Sequence, residues 1–188
     1  MNKILLKKLI LTGFFIALGV VLPYTVGHIP QGGMIFLPMH IPVLICGLVC
    51  GWKYGAVSGA ITVIISMLIG TIPSFIMITG GVPMIFELAA YGAFAGILMQ
   101  CFTNIKFNYI ISLVGAMIIG RVVNAVATLL LLEVIVPIAG MNITDKFDLP
   151  GILFVFFVTG LPGIIIQLLL IPAVMFALEK AKFIPIEE

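Results

Sequence analysis

Residues 108–132 read NYIISLVGAMIIGRVVNAVATLLLL, and Arg121 is the single charge in the run. An apolar stretch of about 18 residues or more is long enough to cross the hydrocarbon core of a bilayer as one helix. The run therefore predicts a spanning helix, and counting inward from its ends puts Arg121 near mid-membrane. A charge there costs about 3 kcal/mol or more unless it faces a helix interior or a wet cavity. Arginine carries five donors in a rigid fork that matches a carboxylate. Asn124 lies three residues on, on a similar helix face. Arg121 has two readings, a contact to a bound ligand or a structural bridge to an acidic residue such as Glu87, and both can hold together.

The rest of the chain has the same character. Of its 188 residues, 63 % are hydrophobic and 9 % charged, with a mean hydropathy of +1.37. A soluble domain carries about 25 % charged residues, so these charges are too few to cover a water-facing surface. A β-barrel needs strands of alternating polarity, and these runs are solidly apolar. The expected fold is an all-α integral membrane protein of six transmembrane helices, forming a single membrane domain over residues 1–188. The spans read as Leu5–Val26, His40–Trp52, Ala56–Ile72, Pro83–Phe102, Tyr109–Val136 and Gly151–Ala181. Only the WKY stretch, Trp52 to Tyr54, marks the join of the second and third, which predicts a very tight turn. The last two spans exceed the roughly 20 residues a bilayer needs. Pro162 and Pro172 lie inside the last and would interrupt its hydrogen-bond ladder. The basic, apolar N-terminus resembles a signal peptide, but no small-x-small cleavage site follows, so it reads as a retained first helix.

Lysines alternate with the spans. Lys3, Lys7, Lys8, Lys53, Lys106, Lys180 and Lys182 fall on one side, and Lys146 alone falls on the other, beside Asp145 and Asp148. The excess of positive charge marks the cytoplasmic side. The expectation is N-in and C-in, with both termini in the cytoplasm and the chain in the cell membrane. The three outer connections, TVGHIPQGGMIFLP, GTIPSFIMITGG and PIAGMNITDKFDLP, are rich in glycine and proline and unusually apolar. They suit either a lid over a pocket or an interfacial layer.

Few polar residues are available inside the spans. Glu87, in VPMIFELAAYG, needs a cationic partner or a proton if buried, and Tyr91 shares its face at i+4. His40, between Pro38 and Pro42, fits a pocket rim or a helix cap. Gln167 is the one strongly polar residue deep in the last span. Glu133 stands near the outer end of the fifth span and can reach headgroup water. The predicted ligand-binding set is Arg121, Asn124, Glu87, Tyr91, His40 and Gln167, with Phe86 and Met39 covering apolar parts of the ligand. Cys46 and Cys50, four apart, read as packing residues rather than a metal pair. The sequence has no Walker lysine motif, HExxH or serine elbow. That predicts no enzyme, no cofactor and no metal centre, and a formal charge of +2 gives no cause to expect nucleic acid.

Small residues recur at helical spacing: Gly13 and Ala17, Gly47 and Gly51, Gly55 and Gly59, then Ala89, Gly92 and Gly96. Such spacing lets helices approach closely in lipid. With the six-span body, FLPMHIPVLICGLVCGWKYGAVSG (36–59) and VPMIFELAAYGAFAGIL (82–98) resemble the substrate-binding S components of energy-coupling factor (ECF) vitamin transporters. GFFIA (13–17) is similar to that family's small-residue motif on the first helix, with Gly13 where the motif has alanine. The resemblance implies a high-affinity micronutrient-binding subunit in a bacterial or archaeal plasma membrane. It implies as partners a transmembrane coupling subunit, EcfT, two cytoplasmic ATPase subunits and membrane lipid, with Gly13 and Ala17 facing EcfT. It also implies that the subunit topples in the membrane to deliver its cargo. HIPVLICG and FELAAYG look most like the pantothenate type; riboflavin and queuosine precursors stand as alternatives. A proton-coupled secondary carrier and a ligand-free membrane assembly protein are the contending classes.

Overall fold

The computed structural model describes residues 3–26, 36–70, 80–103, 107–131, 133 and 160–181. These residues form six long or medium helices: α1 (Lys3–Val26), α2 (His40–Cys50), α3 (Trp52–Ile69), α4 (Val82–Cys101), α5 (Asn108–Leu130) and α6 (Leu161–Lys180). All but α2 are long and apolar enough to cross a bilayer. The chain is thus a multi-pass helical membrane protein among its described residues. Its sidedness, and the outer connections on which a lid would rest, lie largely outside them.

The 11 residues of α2 reach only about 16 Å at 1.5 Å per residue, well short of a bilayer. It survives at that length because it is wrapped by protein. Every residue of α2 except Ile41 is buried, and the helix touches α1, α3, α4, α5 and α6. Val43, Leu44 and Cys46 have no exposed surface at all. α2 is the axle of the molecule, and the five long helices shield it from lipid.

Glycines set the spacing around it. A β-carbon on Gly55 or Gly92 would collide with the backbone of the other, one on Gly59 would strike the Leu88 carbonyl, and one on Gly96 would strike the Trp52 backbone. These pairs run in opposite directions along the chain, so α3 and α4 pack antiparallel with their backbones in contact. Gly47 brings α2 onto the Gly92 carbonyl in the same way. The small-residue spacing on α2, α3 and α4 is therefore internal packing. On α1, by contrast, Gly13 and Ala17 are exposed, and a β-carbon at Gly13 would meet nothing within 4 Å.

The turn between α2 and α3 is tighter than the sequence reading allowed. Trp52, Lys53 and Tyr54 belong to the first turn of α3, and Gly51 alone reverses the chain, at φ 95° and ψ 171°. Only glycine adopts such a backbone without a side-chain clash. The last helix begins at Leu161, so Pro162 occupies its first turn and Pro172 alone lies inside it. A first-turn proline gives up no helical bond, because that N–H has no intrahelical acceptor. The predicted stretches 134–136 and 151–159 lie outside the described residues, as do Lys106 and Lys182.

Candidate functional site

α2, α4 and α5 bring five of the predicted residues into one buried cluster. Glu87, 3 % exposed, lies at its centre on α4. Asn124 donates its side-chain amide to Glu87 Oε2. Arg121 Nη1 approaches Oε1 at 3.5 Å, and His40 Nε2 stands 3.8 Å from the same oxygen. The Thr128 hydroxyl donates to Asn124 Oδ1 at 3.1 Å. The helix period explains the grouping. Arg121, Asn124 and Thr128 succeed each other at spacings of three and four, so α5 turns one polar stripe toward α4. The stripe meets the face of α4 that carries Glu87 and Tyr91.

The Tyr91 ring packs edge-on to His40, with centroids 5.2 Å apart at 70°. It also lies against Gly120, where a β-carbon would stand 2.8 Å from the ring. Glycine at 120 is thus what lets the tyrosine enter between α4 and α5. His40 opens α2 and is 1 % exposed, so it lies in the core beside Glu87 rather than at an exposed rim. Met39 provides the N-cap without a side-chain hydrogen bond and is itself buried.

Gln167 and Arg121 connect the cluster to the segments entering α2 and α6. Gln167 Nε2 donates to the Leu37 carbonyl at 3.4 Å. Leu37 has a positive φ of 48°, in the left-handed region that a branched side chain seldom occupies. Gly160, the residue before α6, lies against both: a β-carbon there would stand 2.5 Å from Arg121 Nη2 and 3.2 Å from Leu37 Cδ1. Gly160 therefore packs against the arginine, and Leu37, distant in sequence, lies beside Gly160.

Two of the predicted positions stand apart. Phe86 is 57 % exposed and points away from the cluster, as one residue along a helix from Glu87 must. Glu133 is exposed, in keeping with reach to headgroup water. Sequence reading missed Thr128, Gly120, Leu37 and Gly160. Thr128 had a signal, its i+4 spacing from Asn124; the other three act through backbone and space, which residue type does not announce. Cys46 and Cys50 are buried free thiols, the first 3.9 Å from the Thr12 hydroxyl. Among the described residues no group of three metal-ligating side chains occurs.

The arrangement defines a class: a small helical membrane protein whose centre holds convergent donors and one carboxylate between spans, where polar groups mark binding or transport. Residues 7–175 match the family model of the ECF transporter substrate-specific component, and the chain belongs to that family. No curated protein and no solved structure matches the chain. Membership makes it a substrate-binding membrane subunit that works with EcfT and separate ATPase subunits, not an enzyme in its own right.

Proposed function

We propose that the chain captures a small anionic vitamin, pantothenate before others, and that the buried cluster around Arg121 is its recognition site. The observation carrying this reading is that Glu87 has partners besides Arg121. Asn124 holds one carboxylate oxygen and His40 flanks the other. A second carboxylate can therefore take up Arg121 without leaving Glu87 alone in an apolar interior, where an uncompensated charge is heavily penalised. Pantothenate offers that carboxylate, together with an amide and hydroxyls suited to Gln167, Tyr91 and His40. Met39 supplies apolar cover from the core side.

Both termini are assigned to the cytoplasm, which counts α2 as a short sixth crossing buried inside the bundle, so that the Leu37 and Gly160 segments face outward and the ligand enters past them. Gly13 and Ala17 on the open face of α1 are assigned to EcfT.

The test is binding of a vitamin panel to the purified protein. Pantothenate should bind tightly, and Arg121→Ala should weaken it at least tenfold while the protein stays folded. Tight binding of riboflavin or a queuosine precursor without pantothenate would overturn the substrate. Unchanged pantothenate affinity in Arg121→Ala would return the arginine to a purely structural bridge with Glu87. Uptake that persists without ATP but collapses with the proton gradient would favour a secondary carrier.

A further inference from the structure

We propose that the buried cluster takes its anionic ligand together with one proton, which His40 accepts as the ligand carboxylate settles on Arg121. The inference rests on the recognition reading above and adds what keeps the occupied site electrically balanced.

The charges are few enough to count. Glu87 brings one negative charge and Arg121 one positive, with Oε1 and Nη1 3.5 Å apart. With His40 neutral, the empty cluster sums to zero. A ligand carboxylate, ionised above about pH 4, takes the sum to minus one. Two carboxylates then share one guanidinium inside an apolar bundle, where an uncompensated charge is heavily penalised.

His40 is placed to supply the missing cation. Its Nε2 stands 3.8 Å from Glu87 Oε1, and neither ring nitrogen has a hydrogen-bond partner among the described residues. A neutral imidazole carries one N–H and one bare acceptor nitrogen. An N–H on Nε2 directed at Glu87 leaves Nδ1 as the bare acceptor, buried and unused. A proton on Nδ1 makes an imidazolium beside Glu87 and returns the sum to zero. Both oxygens of Glu87 are already turned toward donors, Oε2 to Asn124 and Oε1 to Arg121 and His40, whereas Nδ1 has no contact to give up.

No other charge among the described residues reaches this place. α4 turns Glu87 and Tyr91 toward His40, the latter with its ring centroid 5.2 Å away, and α5 turns Arg121 toward the same carboxylate. Lys53 and Tyr54 of α3 lie past Cys50, at the far end of α2 from His40. The lysines of α1 lie toward that end too, since Thr12 is already level with Cys46, and Tyr24 is 49 % exposed. On α6 the ionisable pair is Glu179 and Lys180, in the last turn, opposite the end that Gly160 brings to Arg121. Glu133 is exposed.

The experiment uses the full chain purified in detergent, where no proton gradient exists, and titrates it calorimetrically with pantothenate. Runs in HEPES and in Tris, buffers of different ionisation enthalpy, report protons exchanged on binding. At about pH 8, above the ordinary titration of histidine, about one proton should be taken up per ligand, and Kd should rise about tenfold per pH unit. The sign follows from linkage: a ligand that brings a proton with it binds more weakly as protons become scarce. His40→Gln should abolish the uptake and flatten the pH dependence, whereas a histidine that only packs would lower affinity and leave the uptake at one. If that variant does not fold by circular dichroism, NMR of carbon-13-labelled histidine decides, in a chain whose other histidine is removed by His28→Gln. The His40 signals should then move from neutral imidazole to imidazolium when pantothenate is added. Pantothenate binding without proton uptake, uptake that survives His40→Gln, or a ring that stays neutral would each overturn the inference and leave the recognition reading standing. Failure of pantothenate to bind at all would remove that reading and this inference with it.

Discussion

Gly160 rests against the guanidinium of Arg121, so closely that a β-carbon at 160 would stand 2.5 Å from Nη2. The backbone there is ordinary, at φ −82° and ψ −5°, so alanine is conformationally welcome and the conflict is one of space alone. Gly160→Ala should push the arginine out of line. Pantothenate binding should weaken about tenfold, or about 1.4 kcal/mol, with little change in helix content. Isothermal titration and circular dichroism on the same sample check both halves. Unchanged affinity would mean that the arginine moves freely or stays out of the ligand's reach.

Glu87 and Arg121 should depend on each other for stability. Glu87→Gln keeps an acceptor for Asn124 but removes the negative charge beside a buried cation. Breaking a buried pair costs about 3–5 kcal/mol, so thermal unfolding in detergent should shift down clearly. Adding Arg121→Gln should recover part of the loss, with a coupling of about 1–3 kcal/mol. Strictly additive losses would show that the 3.5 Å approach carries no energy.

The sequence makes the first half of this site readable and hides the second. Arg121, Asn124 and Glu87 stand out because polar residues in an apolar run are conspicuous, and helix spacing predicts which share a face. The ligand set read from the sequence includes Phe86, which the structure instead leaves exposed on α4, because a neighbour of Glu87 along a helix must face elsewhere. The Gly160 contact does not announce itself. Leu37 and Gly160 are ordinary apolar or small residues, and only the folded backbone shows that Gly160 packs against Arg121 with Leu37 beside it. The fold divides similarly. Hydropathy reads six spans, of which five are long and apolar enough to cross among the described residues; the second, α2, has only 11 residues and becomes intelligible as a core helix surrounded by the others. The extent of the turn before α3 was hidden because a single positive φ at Gly51 replaces a longer loop.

Two helical glycines, Gly92 and Gly13, should respond oppositely to the same change. Gly92→Leu places a side chain into the Gly55 backbone and should prevent stable folding, seen as loss of monodisperse protein on size exclusion. Gly13→Leu adds bulk to an open face, so folding and vitamin binding should survive. Copurification with EcfT and ATP-driven uptake should fall sharply. Intact assembly together with lost binding in Gly13→Leu would remove α1 as the partner surface.

Cysteine labelling settles sidedness. In a chain lacking its native thiols at positions 46, 50 and 101, cysteines replacing Gly33 and Thr144 should react with an impermeant reagent from outside, and one replacing Asn104 only after permeabilisation. All three positions lie outside the described residues. Labelling of position 104 in intact cells would reverse the proposed topology.

The one-residue turn at Gly51 links two helices like meshed gears. Each residue added to a helix rotates the remainder of that helix by about 100°, and no slack exists between Cys50 and Trp52 to absorb it. A single insertion there would swing Gly55 and Gly59 away from α4 and drive bulky neighbours into the Gly92 and Leu88 backbones. Length change at this junction is therefore far more damaging than most substitutions around it. Related chains that keep this packing are expected to vary in residue type along α2 and α3 while preserving the number of residues from Gly47 to Gly59.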